Sequence, residues 1–259
     1  IRDSYYTYLS SMHYLMEACS ANGKQLIVLD RPNPNGFYVD GPVLEAKHRS
    51  FVGMHPIPVV HGMTLGELAR MIDGEGWLRD GLRCKLTVIP CRGYTHRSRY
   101  RLPTAPSPNL PNMRAVYLYP SLCFFEGTPV SLGRGTDFPF QAYGHPELQG
   151  DFSFTPRSNA GAKNPPLKDK LCHGVDLRTS PSDERIWERE VDLGYVIDCY
   201  RQLNLGEKFF TPMFDRLTGT DYVRQMILQG AGADRIKASW ADDVERFKQT
   251  RKPYLLYEE

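Results

Sequence analysis

The residues best suited to chemistry lie in one segment near the middle of the chain. Glu126 directly follows the apolar run 122–125 and precedes a glycine-rich stretch that holds Arg134. The apolar run predicts a buried strand that delivers Glu126 to a loop. Desolvation in a partly apolar cleft would favour the protonated carboxyl group, which could then donate a proton. Glu126 is therefore a candidate general acid or base, although a carboxylate that accepts a loop amide fits the same spacing.

Arg134 lies between Gly133 and Gly135 and is a candidate anion-binding residue. A guanidinium group can donate two parallel hydrogen bonds to a carboxylate or phosphate, and the glycines would let a ligand approach the backbone. A structural salt bridge to Asp137 is a nearly equal alternative. The glycine pattern matches neither a phosphate-binding loop nor a dinucleotide fingerprint, so it predicts no nucleotide site.

Further candidate residues lie in other loops. His61 comes just before a predicted helix N-terminus, which favours a neutral ring that either contacts a ligand or braces the loop. A metal site shared with His55 is disfavoured, because the prolines between them give no helical register and no acidic partner is evident. Asn109 fits a ligand-binding amide or, by preference, the N-cap of the helix after Pro111.

Asp30 and Arg31 form, with Asn33, a polar loop tip on a rigid Pro-Asn-Pro frame. Such a frame lowers the entropy cost of holding side chains toward a ligand. A plain strand-to-loop turn explains these residues almost as well.

Three helix-strand-loop units are predicted in succession. A helix at about 4–21 precedes a strand at 26–29 that we expect to be covered on both faces. A capping box of Thr64 and Glu67 opens a second helix, which leads to a strand at 86–89. A short helix at about 112–119 precedes the predicted strand 122–125. This order predicts an α/β fold with a parallel sheet, whose ligands lie beyond the carboxyl ends of its strands.

The residue composition of the chain changes near Gly144. A connection rich in Pro, Asn and Lys follows, and then helices in which Ile186 shares a face with Ile197 and Trp240 shares one with Phe247. We therefore predict one domain over residues 1–145 and a smaller α+β domain over 146–259.

The composition excludes several classes of protein. The 259 residues are 41% hydrophobic with a net charge of +2, which gives no reason to expect disorder or a nucleic-acid surface. No run is long and apolar enough for a membrane span, and no signal peptide is evident. The six cysteines form no CxxC pair, so we expect no zinc. Because the sequence opens on Ile1, we expect an upstream segment.

Several ordered motifs resemble the exo-β-N-acetylmuramidase NamZ family, long described as DUF1343. The motifs cover most of the chain and are densest from Tyr5 to Gly144: Tyr5-Tyr6-Thr7-Tyr8, Leu29-Asp30-Arg31-Pro32-Asn33-Pro34, Val39-Asp40-Gly41-Pro42, Ser50-Phe51-Val52-Gly53, Pro56-Ile57-Pro58, His61-Gly62-Met63-Thr64, Pro106-Ser107-Pro108-Asn109, Glu126-Gly127-Thr128 and Gly133-Arg134-Gly135-Thr136. The C-terminal Trp240 and the segment 251–257 also fit.

The resemblance implies an enzyme that releases N-acetylmuramic acid from the non-reducing end of peptidoglycan glycan chains. It implies the later half of a Rossmann-like subdomain followed by a second subdomain, a glycan substrate, no cofactor or metal, and a location in the periplasm or outside the cell. Glu126 would transfer a proton, and Arg134 or Arg31 would bind the lactyl carboxylate. The residues expected to position hydroxyl or acetamido groups are His61, Asn109 and Asp137.

Two departures from the family pattern matter. Pro129 and Leu132 stand where many relatives have Asn and Glu, so no second carboxylate comes from position 132. An earlier half-subdomain with a Gly-Pro-Glu-His-Gly motif is also absent. The second group that glycoside hydrolysis needs would then lie outside these residues, or be the 2-acetamido group of the substrate. A wall-binding protein without catalysis and a nucleotide-dependent transferase are the competing interpretations.

Overall fold

The computed structural model describes residues 7–259, which form two compact units. The first contains the described residues up to Tyr100 together with Trp240–Glu259, and the second contains Arg101–Ser239. The sequence-based boundary after residue 145 does not coincide with this division, because the second unit already begins at Arg101 and the last twenty residues pack with the N-terminal unit. That boundary stays a prediction of subdomain organisation.

The first unit combines helices with two small sheets. Its elements are α1 (Tyr8–Ala21), β1 (Gln25–Leu29), β2 (Asp40–Val43), β3 (Pro58–Val60), α2 (Leu65–Gly74) and β4 (Lys85–Ile89), and the later helix Ala241–Arg251 also belongs to it. Strands β1 and β4 pair in parallel, from Gln25 opposite Lys85 to Leu29 opposite Ile89. Strands β2 and β3 are antiparallel. The predicted parallel pairing of the first two strands of the α/β fold is thereby confirmed.

Local sequence signals explain where α1 and α2 lie. The predicted capping box is confirmed, because the Thr64 hydroxyl accepts from the Glu67 amide and the Glu67 carboxylate accepts from the Thr64 amide. Two backbone amides at the start of the helix, which have no acceptor within it, thereby gain hydrogen bonds. The predicted first helix is confirmed as Tyr8–Ala21, whereas its expected start at residues 4–6, like the motif residues Tyr5 and Tyr6, lies outside the described residues.

The expectation that strand 26–29 is covered on both faces is wrong for the described residues. Val28 is buried, but Ile27 and Leu29 point to the other face and are 56% and 70% exposed. Within residues 7–259, β1 is hydrogen-bonded to β4 alone, in a sheet of two strands. The alternation of buried and exposed side chains is that of a sheet with one open face.

The second unit is mostly helical and contains one small sheet, which confirms the predicted smaller sheet region. Its elements are α3 (Met113–Leu122), β5 (Ala142–His145), β6 (Phe152–Phe154), β7 (Cys172–Asp176), α4 (Asp183–Arg189), α5 (Gly194–Leu203), α6 (Pro212–Thr218), α7 (Tyr222–Leu228) and α8 (Ala233–Ala238). The three strands form an antiparallel sheet with β7 in the centre. The helix Ala241–Arg251 of the first unit, α9, follows in the chain.

The prediction of a third strand at residues 122–125 is wrong. The helix α3 continues to Leu122, and a 3₁₀ helix then spans Cys123–Gly127. All four apolar side chains of the run are fully buried. A short continuous apolar run is equally compatible with a buried strand and a buried helix, and here packing within the unit selects the helix.

Two further observations concern the chain as a whole. Among the helices of residues 7–259, none has both the length and the apolar character required to cross a membrane. All six cysteines carry free thiols.

Candidate active site

Glu126 and Arg134 form an ion pair in the second unit. The Arg134 Nη2 atom donates to Glu126 Oε2 over 2.7 Å, and the two side chains are 26% and 32% exposed. The guanidinium also lies over the ring of Phe140, 5.0 Å from its centroid. The sequence placed both residues in one segment and offered a salt bridge to Asp137 as a nearly equal alternative for Arg134, whereas in the structure the partner is Glu126.

Buried neighbours hold Glu126 in place. Phe125 is fully buried and stacks on Tyr143 at 5.1 Å, which anchors the chain directly before the carboxylate. Gly127, directly after it, touches the backbone of Phe214, since an added Cβ atom would lie 2.5 Å from Phe214 Cα. The Gly127 carbonyl also accepts from the Thr211 amide over 2.9 Å. The position of the carboxylate is therefore set by packing of the 3₁₀ helix against α6.

Arg134 is presented by a tight turn. Gly133 and Gly135 have φ values of 69° and 83°, a region that favours glycine. A Cβ atom on Gly135 would lie 2.4 Å from the Arg157 carbonyl oxygen. The Thr136 hydroxyl donates to the Gly133 carbonyl over 2.6 Å and closes the turn. The glycines thus shape the loop that aims the guanidinium.

The environment of Glu126 differs from the expected one. The acid role was predicted from a carboxyl group at the end of a strand in an apolar cleft, whereas Glu126 lies in a 3₁₀ helix with a third of its side chain exposed. The burial on which that argument rested is absent. What the surface position offers instead is a carboxylate that a large substrate can reach, next to a cation.

Asp137 is exposed and lines an open groove of about 520 Å³ in the second unit. Phe138 and Phe152 form an aromatic wall of this groove, with ring centroids 5.6 Å apart. The Arg178 guanidinium lies over both rings at 4.7 Å and 5.2 Å. Asp137 is therefore accessible, although its side chain does not pair with Arg134.

Asn109 is a structural residue in this structure. Its side-chain amide donates to the Gly161 carbonyl over 3.1 Å, and its backbone amide donates to the Ser107 hydroxyl. The preferred assignment of Asn109 as the N-cap of the next helix is wrong, because Asn112 fills that position and accepts from the Ala115 amide. Asn112 has the extended backbone of an N-cap directly before the first helical residue, Met113, whereas Asn109 lies four positions before the helix.

Asp30 belongs to a buried hydrogen-bond network in the first unit. One carboxylate oxygen accepts from the Gly66 amide over 2.8 Å, and the other accepts from the Thr64 and Tyr257 hydroxyls, each over 2.6 Å. With three donors on two oxygens, Asp30 ties the end of β1 to the start of α2 and to the C-terminal segment. Its first role is therefore to position the loop that contains Thr64.

His61 and Arg31 line the same small cavity of about 20 Å³, which is room for about one water molecule. The backbone amide of Met63 donates to His61 Nδ1 over 3.1 Å. The imidazole therefore braces its own loop, which is one of the two roles that the sequence left open. Burial, followed by the charge of Arg251, lowers the pKa of His61 to about 3. Desolvation, rather than the helix N-terminus on which the prediction rested, is the dominant cause of this lowering.

The metal pairing of His55 and His61 is not supported by their surroundings. His55 stacks on Trp77 with centroids 4.9 Å apart and lies the same distance from His13, whereas His61 contacts Met63.

Glu67 is a second buried acid of this unit. The sequence gave no sign of its further contacts, because the capping box already explained the residue. Its Oε1 accepts from the Leu256 amide and from His96 Nε2, over 2.8 Å and 3.0 Å.

Two family models match the chain. The model described as Exo-beta-N-acetylmuramidase NamZ, N-terminal, matches residues 3–114, and the corresponding C-terminal model matches residues 117–257, which is more than half of the chain. The chain belongs to the NamZ family. The resemblance stated from the ordered motifs is thereby confirmed.

Individual relatives agree with the NamZ assignment. A curated relative from Bacillus subtilis (strain 168), named peptidoglycan beta-N-acetylmuramidase NamZ, is 35% identical over 278 residues. The match covers 98% of this chain and 64% of the relative, so the chain spans less than two thirds of the length of the curated relative.

Two crystal structures of DUF1343 family proteins from Bacteroides fragilis NCTC 9343 share the NamZ fold described above. One has a TM-score of 0.98 at 60% identity and the other a TM-score of 0.82 at 25% identity. Both matches cover 100% of this chain and 73% of the solved chain. The fold class inferred from the sequence is confirmed.

Proposed function

We propose that this protein is a glycoside hydrolase that releases N-acetylmuramic acid from the non-reducing end of peptidoglycan fragments. Membership of the NamZ family supports this activity, and so does the curated relative named as a peptidoglycan beta-N-acetylmuramidase. The structural observation that carries the proposal is the surface-accessible ion pair of Glu126 and Arg134. It supplies a carboxyl group for proton transfer and a cation for an acidic sugar.

Arg134 is the proposed partner of the lactyl carboxylate of muramic acid. Only one of its five N–H donors is used by Glu126, which leaves the remaining edge of the guanidinium for a bidentate contact. A carboxylate bound there competes with Glu126 for the same cation. Substrate binding would then weaken the Glu126 contact and make protonation of that carboxyl group easier, which places an acid beside the glycosidic oxygen.

Glu126 is proposed to transfer the proton to or from the reacting oxygen. Glycoside hydrolysis also needs a group that stabilises or attacks the anomeric carbon. The 2-acetamido group of the substrate or a carboxylate outside residues 1–259 would fill that role, since position 132 is a leucine. His61, Asp30, Arg31 and Asn109 are proposed to act indirectly, by holding the loops, and Asp137 by contacting the sugar from its open groove.

The test is turnover of a chromogenic N-acetylmuramide by the complete protein and by its Glu126→Gln variant. Because general acid–base catalysis contributes roughly 10²–10⁴-fold, we expect kcat to fall by about that factor. Glu188→Gln is the matched control, since Glu188 is an exposed glutamate on α4 of the same unit. Near-normal turnover by Glu126→Gln removes Glu126 from the chemistry.

The lactyl contact has its own test, which compares a muramide with the corresponding glucosaminide after Arg134→Ala. Loss of a charge-assisted hydrogen bond is worth about 1.5–3 kcal/mol, so kcat/KM for the muramide should fall by roughly 10- to 100-fold more than for the glucosaminide. Equal losses on the two substrates argue against a contact between Arg134 and the lactyl group.

A wall-binding protein without catalysis is the alternative that one observation favours, namely that Glu126 is already engaged by Arg134. Incubation of the complete protein with peptidoglycan fragments separates the two functions, because only an enzyme releases free sugar. We also propose a periplasmic or extracellular location, where this substrate is found, and cell fractionation tests it.

A further inference from the structure

The open groove that Asp137 lines is continuous with the loop that carries Arg134. Gly135 lines the groove together with Thr136, and it directly follows Arg134 in the chain. Because consecutive Cα atoms are about 3.8 Å apart, the groove begins about one residue from the Arg134 backbone. Arg157 also lines the groove and is attached to the same turn, since its amide donates to the Gly135 carbonyl over 2.9 Å. The ion pair with Glu126 and the groove therefore share one loop.

The groove offers an unpaired carboxylate and an oriented guanidinium. Asp137 is exposed and makes no hydrogen bond or ion pair with any of residues 7–259. Arg178 is fixed by Asp176, to which its Nε atom donates over 2.9 Å and its Nη2 atom over 2.6 Å. Its Nη1 group has no hydrogen-bond partner among the described residues, so its N–H donors stay available. The groove thus holds an acceptor without a donor and a donor without an acceptor.

Phe138 and Phe152 give the groove an apolar wall. Both rings pack against the buried cluster around Phe154, which fixes their positions. Part of each ring stays exposed even though the Arg178 guanidinium lies over both of them. The remaining aromatic surface can cover the C–H face of a ligand, because burial of apolar area is favourable.

The charges around the groove select a neutral occupant. Its two arginines already face aspartates, Arg178 that of Asp176 and Arg157 that of Asp169, at 2.6 Å and 3.8 Å. With Asp137 added, no excess of positive charge is left for an anionic ligand, and a cationic ligand would meet the guanidinium of Arg178. A hydroxyl group both donates to a carboxylate and accepts from a guanidinium. A neutral ring with several hydroxyl groups therefore fits both polar groups of the groove.

We propose that this groove binds the leaving-group sugar of the substrate, which is the neutral N-acetylated hexosamine next to muramic acid in the glycan chain. A hydroxyl group of this sugar donates to Asp137, and a hydroxyl or acetamido oxygen accepts from Arg178. Its C–H face lies against Phe138 and Phe152. The inference rests on the proposed function, in which Arg134 holds the muramic acid and the groove holds the ring that follows it.

Two substrates that differ only in the leaving group test this assignment with the complete protein. One is the disaccharide of N-acetylmuramic acid and N-acetylglucosamine, and the other is the 4-nitrophenyl N-acetylmuramide, whose leaving group has no hydroxyl or acetamido groups to bind. Asp137→Asn and Arg178→Gln should each lower kcat/KM for the disaccharide at least about tenfold more than for the chromogenic substrate. Both variants should fold, because Asp137 has no partner and the ion pair of Arg178 is exposed.

The matched control is Asp198→Asn. Asp198 is an exposed aspartate on α5 of the same unit and does not line the groove. This variant should cleave both substrates at the wild-type rate. A loss that it shares with Asp137→Asn would reflect the removal of a surface charge rather than a contact in the groove.

Binding is measured separately from turnover, with methyl N-acetyl-β-D-glucosaminide as the probe. Two-dimensional NMR of the backbone amides should show millimolar or tighter binding, with shifts concentrated in residues 135–138 and 152–159. Asp137→Asn should weaken this binding at least about tenfold. Asp198→Asn should leave it unchanged.

Two results overturn the proposal. One is an equal loss of kcat/KM on the two substrates in the groove variants. The other is the absence of amide shifts in the groove at high millimolar concentrations of the probe. Failure of the wild-type protein to cleave either substrate overturns the proposed function as well, whereas cleavage of both with equal losses overturns the groove assignment alone.

Discussion

The Tyr257 hydroxyl donates to Asp30 Oδ2 over 2.6 Å, although the two residues are 227 positions apart in the sequence. This bond joins the end of β1 to the C-terminal segment of the same unit. Neighbouring contacts of the segment strengthen the attachment, since Leu256 donates to Glu67 and the Glu258 carbonyl accepts from the His96 amide. Through these hydrogen bonds the C-terminal residues hold the loop that contains His61 and Thr64 in place.

We predict that Tyr257→Phe destabilises the protein by about 1.5–3 kcal/mol, the usual value of a hydrogen bond to a charged group. Urea unfolding monitored by circular dichroism measures the change. Tyr254→Phe is the matched control, because Tyr254 donates to Glu75 over the same 2.6 Å but in an exposed position, where the cost should be less than about 1 kcal/mol. Equal costs in the two variants would show that burial of the Asp30 network contributes nothing.

Gly66 is predicted to be required for the approach of α2 to β4 and Asp30. A Cβ atom there would lie 2.5 Å from Val88 Cγ1 and 2.7 Å from Asp30 Cγ. Gly66→Ala should therefore destabilise by about 1–3 kcal/mol, despite the higher helix propensity of alanine. Gly53→Ala, where the new methyl group would meet only Leu44 at ordinary contact distances of 3.6 and 3.7 Å, should change the unfolding free energy by less than about 0.5 kcal/mol. Thermal unfolding of both variants provides the comparison.

The buried histidines predict a loss of stability in acid. The pKa values of His55 and His61 are each lowered to about 3, so these rings stay neutral when folded and take up a proton when unfolded below about pH 6.5. Their contribution is fully present above pH 6.5 and is lost as the pH falls toward 3. Between pH 7 and pH 5, each of the two histidines should lower the free energy of unfolding by about 2 kcal/mol.

Urea unfolding at a series of pH values tests this dependence, with His55→Phe as the informative variant. Below pH 6.5 its free energy of unfolding should fall less steeply than that of the wild-type protein, by up to the slope of about one proton. Between pH 7 and pH 8 the two slopes should agree. Identical slopes at pH 5–6.5 would mean that His55 takes up its proton equally well in both states.

The ion pair of Glu126 and Arg134 should contribute little to stability. Its side chains are 26% and 32% exposed, and ion pairs in such positions are worth about 0.2–1 kcal/mol. Glu126→Gln should therefore shift the unfolding free energy by less than about 1 kcal/mol, as measured in urea. A larger loss would identify the pair as a structural element, and a fall in activity could not then be assigned to proton transfer alone.

Local patterns in the sequence were sufficient where neighbouring residues decide the structure. The capping box of Thr64 and Glu67, the helix Tyr8–Ala21 and the strands β1 and β4 depend on hydrogen bonds and periodicity within a few positions. The ordered motifs were enough to indicate the NamZ family. They also placed Glu126 and Arg134 in one short segment, where the carboxylate and its cation lie eight positions apart.

Errors arose where packing between distant segments decides the structure. The apolar run 122–125 had no periodicity to separate strand from helix, and its burial beside Tyr143 and α6 makes it helical. The sequence could not show that Asp30 accepts a third hydrogen bond from the C-terminal Tyr257, and its role toward a ligand stays a prediction.

Side-chain types and short spacings in this chain therefore specify its local elements, its family and the residues from which a site can be built. Which carboxylates are buried and satisfied, like Asp30 and Glu67, and which remain accessible, like Glu126, depends on long-range contacts. Those contacts arise only when the folded chain brings remote donors and aromatic rings to within hydrogen-bond or van der Waals distance.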